Sequence, residues 1–448
     1  MAMTTDRRRF LQASAAAGIG YWVAGGVAAQ SSTSPNEQIQ LGCIGVAGSK
    51  GKEDVRNMSR YGTIFAQCDV DATFLDPSVK MYKSDYQFSD YREMLDQLGD
   101  RIDAVTITVP DHNHAVMAAK AMRMGKHVHC QKPLTRTIWE ARRLGEIARE
   151  QGVVTQMGNQ WTAYNPMRKA AYQVRAGQLG TVNEVHVWTN RPVWPQGERR
   201  PMMKPAPETL DWNVWLGPAS YRPYGDDLYH PFKWRGWWDF GTGALGDMAC
   251  HTCNLPFMAL NMRDPTSVDA ECPDHDGDSF PTKSKIKFKF PELDGRAPFV
   301  LYWYDGGNLP PAELFADVTL RAEVGGEDFA PPYRSGALLI GDRAKMYAAG
   351  DYADLGIEII GDVEEIEVDY PRSVGHEREW FDAIRNPSQP ATSNFPNYAG
   401  PLTETILLGN LAVWKRGHVD WDPKNLKPLN DPSLERIVHC EYPDGYQV

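Results

Sequence analysis

The sequence predicts a doubly wound α/β domain with a parallel sheet, followed by an α+β domain carrying a large, mostly antiparallel sheet. Three observations lead there. Short apolar strands alternate with amphipathic helices over residues 38–158, three glycines crowd the turn after the first strand, and beyond Gly158 isolated strand-like runs lie between long, proline-rich loops. A chain of 448 residues also exceeds what one hydrophobic core ordinarily serves, so two domains are expected.

The elements follow in order. Arg7-Arg8, an apolar stretch at 13–27 and the small-residue exit Ala28-Ala29-Gln30 predict a twin-arginine leader over 1–30, read by the matching export machinery. A polar linker occupies 31–37. The apolar run at 39–46 is the first strand, 53–61 has helical spacing, and the second strand at 64–68 ends in Asp69. Helices near 90–98, 115–124 and 138–150 then alternate with apolar strands at 104–109, 127–130 and 153–157. Such strands, covered on both faces, belong to a parallel sheet. Residues 159–448 form the second domain, with strands at 182–189, 283–290 and 299–304, helices at 166–176 and 245–260, and a late apolar helix at 402–414 that can pack back on the first domain.

Composition narrows the function. A net charge of −11, with no basic cluster beyond the leader, argues against a nucleic-acid binder and favours a small neutral or polar ligand. The seven cysteines are an odd number, so at least one is free. Cys43, Cys68 and Cys130 sit in apolar runs and read as packing. Cys250 and Cys253 lack a second pair at zinc-site spacing, and no metal is expected.

Gly45, Ala47, Gly48 and Gly51 line the first strand-to-helix turn. In a dinucleotide-binding Rossmann domain the first glycine permits the tight turn, and the next lets backbone N–H groups approach the pyrophosphate at the helix N-terminus. Here Ala47 stands where the second glycine usually falls, and Gly51 is one place late. Asp69, at the tip of the second strand, is placed to accept hydrogen bonds from the adenosine ribose hydroxyls. No arginine follows it immediately, so NAD is favoured over NADP.

The run from Asp103 to His114, ending Pro110-Asp111-His112-Asn113-His114, and the later Gln131-Lys132-Pro133 together resemble the Gfo/Idh/MocA oxidoreductase family. Its signature is an Asn and a His near the nicotinamide, then a Glu-Lys-Pro tripeptide at the next strand end. Gln131 stands here in place of the glutamate. Asp247 and His251 match the family's Asp-x-x-x-His motif, and residues four apart share one helix face. His376-Glu377-Arg378-Glu379-Trp380 also follows the pattern of the exported branch.

The resemblance implies cofactor contacts at Pro110, Asn113, His114, Gln131 and Lys132, and chemistry at Lys132, Asp247 and His251. Lys132 then removes the hydroxyl proton or stabilises the developing charge, His251 is the second candidate base, and Asp247 binds a neighbouring hydroxyl or orients the other two. Substrate contacts are expected at Asn159, Gln160, Trp161, Tyr164 and Trp238. Seven tryptophans between Trp188 and Trp238 offer faces for sugar rings or, in the plainer reading, staple long loops to the sheet.

The implied activity is NAD(P)-dependent oxidation of a sugar, polyol or glycoside. A redox-neutral glycosidase is the alternative, in which oxidation is followed by elimination, hydration and re-reduction. A non-catalytic sugar binder is the third reading. Export to the periplasm or beyond implies a tightly bound nucleotide, loaded beforehand and regenerated in place. A homo-oligomer is also expected.

Overall fold

The computed structural model describes residues 38–200 and 203–448, so the predicted leader and linker lie outside the described residues. The first sheet is built from β1 (Ile39–Ile44), β2 (Gly62–Cys68), β3 (Tyr86–Phe88), β4 (Ala104–Ile107), β5 (His127–Cys130) and β6 (Thr155–Met157). Their order is β3-β2-β1-β4-β5-β6 and every pairing is parallel. The order reverses beside β1, so a crevice opens between the carboxyl ends of β1 and β4.

Helices cover both faces: α1 (Gly48–Met58), α2 (Ala72–Tyr82), α3 (Tyr91–Leu98), α4 (Asp111–Arg123) and α5 (Ile138–Gln151). Local chemistry explains their ends. Asp71 and Asp90 cap α2 and α3 through side-chain bonds to backbone N–H groups, and Thr137 with Glu140 forms a reciprocal capping box on α5. Gly152 closes α5 at φ +61°, where the left-handed conformation suits glycine.

Two boundaries differ from the sequence reading. Helix α1 starts at Gly48 rather than 53, because glycine and lysine masked its first turn. Helix α4 starts at Asp111 rather than 115, since Pro110 serves as its N-cap and the run Asp111-His112-Asn113-His114 becomes the first helical turn. The sequence pattern does not predict α2 or β3. Pro77 inside α2 and only three residues in β3 weakened both periodicities.

The second sheet has nine strands: β7 (Val182–Trp188), β8 (Ser267–Glu271), β9 (Lys285–Phe290), β10 (Phe299–Tyr304), β13 (Gly336–Gly341), β14 (Lys345–Ala349), β15 (Ile357–Ile360), β16 (His418–Asp422) and β17 (Lys427–Pro428). A separate hairpin pairs β11 (Ala322–Val324) with β12 (Glu327–Phe329). The order is β15-β14-β13-β7-β10-β9-β8-β16-β17, antiparallel except for β7 with β10.

One face of this sheet is covered by α6 (Asn165–Arg175), α7 (Gly243–Thr252), α8 (Asn254–Leu260) and α10 (Gly400–Lys415), whereas α9 (His376–Arg385) buries Trp380 and Phe381 in the core of the first sheet, with Leu41 and Val55. The single helix expected over 245–260 is two, because Pro256 lacks the N–H that would bond back to Thr252 and the axis breaks at Cys253. Helix α10 packs on α5 of the first sheet as well as on α7 and β8. One apolar core therefore runs through both sheets, including Ile107, Leu144, Ala249, Leu301 and Leu408.

His376 tightens the join, with its Nε2 3.0 Å from the Met157 carbonyl, while Gln156 Nε2 donates to the His376 carbonyl at 2.8 Å. Cys43, Cys68, Cys130, Cys250 and Cys253 are buried free thiols, and burial pushes the Cys43 thiol up to about 12. Among the described residues, no helix is long and apolar enough to cross a membrane.

Candidate active site

A cavity opens at the reversal point of the first sheet. Gly45, Ala47, Gly48, Gly51, Asp69, Pro110, Asn113, Gln131 and Lys132 all line it, joined from farther along the chain by Trp215, His230, Trp234 and Arg235. The glycines have separate reasons. Gly45 has φ +80° and lies against the Thr108 carbonyl, so only glycine lets β1 turn this close to β4. At Gly48, with φ +61°, an added Cβ would meet nothing within 4 Å and would project into open space.

Ala47 offers no side-chain cap to α1. The first-turn N–H groups are thus open to an anion, and the helix dipole favours one there. The residues present fit a pyrophosphate. Asp69 Oδ2 accepts from the Val46 N–H at 2.8 Å and Oδ1 from the Asp71 N–H at 3.1 Å. Burial raises its pKa and these two bonds oppose the rise, while each oxygen keeps a second lone pair for a ribose hydroxyl.

The first turn of α4 divides its polar residues. Asn113 Nδ2 donates to the Trp215 carbonyl at 2.9 Å, and its buried Oδ1 has no partner. His114 is not among the cavity-lining residues, and its ring nitrogens lie 2.8 Å from the carbonyls of Pro133 and Val109. His112 lies between the Trp215 and Phe240 carbonyls at 3.0 and 3.3 Å. Burial lowers His112 to about 3 and His114 to about 4, against the opposing pull of the carbonyls beside their ring nitrogens. They tie α4 to a distant loop and to the β5 end.

Asp111 in the same turn is buried and accepts from the Thr242 hydroxyl at 2.7 Å. Burial outweighs that bond and raises its pKa to about 7. The unfolded chain ionises Asp111 near its ordinary value, so the native state alone holds the proton between about pH 4 and 7. Stability from this group is complete below that window and falls as pH rises through it, by about 4 kcal/mol. Asp111→Asn is expected to flatten the loss, as read from urea midpoints at pH 4.5, 6 and 7.5.

Lys132 follows β5 and meets α7. Its Nζ donates to Asp247 Oδ1 at 2.9 Å and to the Asp247 carbonyl at 2.8 Å, leaving a third N–H for another oxygen. Arg235 Nε approaches the same carboxylate oxygen at 3.3 Å. Burial alone would raise Asp247, but Lys132 and Arg235 outweigh it and hold the carboxyl well below the usual range. One helical turn on, His251 is buried and uncharged, kept so by burial and then by the positive Lys132. Its Nδ1 has no hydrogen-bond partner, and its ring stands edge-on to Tyr352 at 4.9 Å.

The residues expected at the substrate separate. Trp161 stacks on Tyr352 at 5.0 Å and Tyr164 stands against Trp161 at 5.3 Å, so both join the aromatic chain that ends at His251. Asn159 is buried; its Oδ1 accepts from the Ser393 hydroxyl and its Nδ2 is unpartnered. Gln160 is partly exposed in the turn before Trp161. Trp238 lies elsewhere. It stacks on Phe280 at 3.7 Å and lines a second cavity with Trp414 and Arg136.

Trp212, Trp215, Trp234 and Trp237 form a buried cluster with Tyr229 and Phe240, so these four staple the loop. Arg235 and Tyr352 escaped the sequence reading because neither lies in a spaced motif.

Two family models match. One, the oxidoreductase family's NAD-binding Rossmann fold, covers residues 37–159, and the other, its C-terminal alpha/beta domain, covers 168–301. Levoglucosan dehydrogenase of Pseudarthrobacter phenanthrenivorans is 26% identical over 37% of this chain and 35% of its own length. A glycosyl hydrolase family 109 protein of Solibacter usitatus is 29% identical over 39% and 44%. The chain thus spans less than half the length of these curated relatives. Among solved structures, the WlbA dehydrogenase from Bordetella pertussis, in complex with NADH and UDP-GlcNAcA, superposes with TM-score 0.59 at 15% identity. That likeness, of the fold, covers 86% of this chain and 99% of WlbA. With both halves of the family's pattern matched in order on these two sheets, the chain belongs to the Gfo/Idh/MocA oxidoreductase family.

Proposed function

We propose that this protein is a nicotinamide-dependent oxidoreductase acting on a sugar or polyol. The observation that carries this reading is one continuous cavity, running from Asp69 and the glycine turn to Lys132 and Arg235. The relatives' names, levoglucosan dehydrogenase and a sugar-nucleotide-bound dehydrogenase, support the substrate class.

When bound, the nicotinamide supplies a hydride acceptor, with Gly48, Asp69 and Asn113 as the residues to hold the dinucleotide. The free Lys132 N–H meets the reacting oxygen and stabilises its negative charge as a carbonyl forms. Neutral His251 accepts the hydroxyl proton at an imidazole nitrogen. Asp247, fixed by Lys132 and Arg235, keeps the ammonium aimed. The aromatic wall of Tyr352 and Trp161 suits the C–H face of a sugar ring.

The second reading is redox-neutral glycoside cleavage, favoured by the Solibacter relative's name. A third proposal is export through the predicted leader with the nucleotide already bound. One experiment separates the first two: purified protein, without added nucleotide, is incubated with aryl glycosides and with free sugars while release and absorbance at 340 nm are followed. Net reduced nucleotide from free sugars supports the oxidoreductase; aglycone release without it supports the cleavage cycle. Denaturing the protein and identifying the nucleotide set free tests the bound cofactor, and a leader fused to a reporter tests export.

A further inference from the structure

Beneath the glycine turn lies a buried carboxylate that neither the sequence motifs nor the reaction uses. Asp54, on α1, is only 3% exposed. Its Oδ2 accepts from the Thr108 hydroxyl at 2.7 Å and from Gln131 Nε2 at 2.8 Å, and its Oδ1 pairs with Lys50 Nζ at 3.2 Å. The three partners come from the cofactor turn, the β4 end and the β5 end.

The Gln131 amide has one orientation open to it. Its Nε2 must face the carboxylate, which only accepts, and its Oε1 then accepts from the Lys132 N–H at 3.3 Å. Gly158 lies against the amide, where a Cβ would come within 2.4 Å of Nε2. The two hydrogen bonds and the close backbone of Gly158 hold the side chain in this orientation.

We propose that Asp54 is a positioning residue for Lys132, acting through Gln131, and that Gln131 is required to be an amide because the carboxylate of this pair sits on the helix. The hub joins the cofactor turn to the reacting lysine, because Lys50 and Lys132 line the same cavity. A glutamate at 131 would set two carboxylates in contact where one already lies buried. Moving the charge across the pair restores a donor and an acceptor. The inference rests on the nicotinamide-site reading above, and the test keeps the two apart.

The variants are Asp54→Asn, Gln131→Glu and the reciprocal double Asp54→Asn/Gln131→Glu. Each full-length protein, stripped of nucleotide, is titrated with NADH, unfolded in urea, and assayed for KM and kcat on the sugar the wild type oxidises. Gln131→Glu is expected to weaken NADH binding about tenfold or more and to lower the urea midpoint, since like charges share a buried site. Asp54→Asn is expected to lower kcat more than it changes the urea midpoint, because its amide still bonds Thr108 and Gln131 while Lys50 keeps Glu53, 3.4 Å away, as its ion-pair partner.

The double variant is expected to recover most of the NADH affinity, urea midpoint and kcat lost in Gln131→Glu. A Gln131→Glu protein that behaves as wild type overturns the proposal, as does a double variant whose losses are the sum of the singles. If the wild type binds no NADH, the nicotinamide reading fails, and the urea midpoints alone decide the Asp54 to Gln131 pairing by the same criterion.

Discussion

Replacing Lys132 with methionine is expected to lower kcat about 10³-fold while the fold and the NADH affinity stay near wild type. The apolar stem keeps its packing, and Asp247 keeps a positive partner in Arg235 3.3 Å away, so no bare charge is buried. What disappears is the N–H that meets the reacting oxygen, an interaction strongest when that oxygen carries charge. Stopped-flow hydride transfer from a saturating sugar reads the step directly, and a urea melt alongside guards against loss of fold. An unchanged rate would show that Lys132 takes no part in the chemical step.

Gly45→Ala is expected to destabilise the protein by more than about 4 kcal/mol, beyond the ordinary range for one methyl group. The new Cβ would lie 2.1 Å from the Thr108 carbonyl oxygen and 2.6 Å from its carbon, both backbone atoms, and φ is already +80°. Relief requires β1 and β4 to part at the centre of the sheet. Gly48→Ala is the contrast. Its φ of +61° costs about 1 kcal/mol, yet its Cβ meets nothing and points where a pyrophosphate would lie. Urea midpoints should fall steeply only for Gly45→Ala, whereas Gly48→Ala should chiefly weaken NADH binding. Equal midpoints would show that the close approach of β1 to β4 is not essential.

The glycine turn, Asp69, Lys132 and the Asp247 to His251 spacing were all legible in the sequence, because each is a local pattern with its own periodicity. The family resemblance implies a cofactor contact at His114, and the run of tryptophans suggests a substrate contact at Trp238. The structure spends the His114 ring on two backbone carbonyls and sandwiches Trp238 beside Phe280. Buried polar and aromatic groups take the nearest partner that satisfies them, and that partner is not written in the spacing. Arg235 joined the site from a loop without a motif. Asp54 carried one local trace, the i, i+4 pairing with Lys50, which by itself reads as an ordinary helix surface pair.

By itself the sequence determined the alternation of strands and helices, the turn built for a dinucleotide, and the change of architecture after Gly158. Hydrophobic period and glycine conformation act over a few residues, so one chain segment suffices to show them. Only the tertiary structure decided which charges meet. Lys132 reaches Asp247 across 115 positions and Gln131 reaches Asp54 across 77, once the two sheets share a core and α7 is laid against the end of β5. Burial then sets the charge states, leaving Asp247 ionised between two cations and His251 neutral one turn away. Desolvation depends on every neighbour packed around a group, a property of the folded interior that no stretch of sequence carries alone.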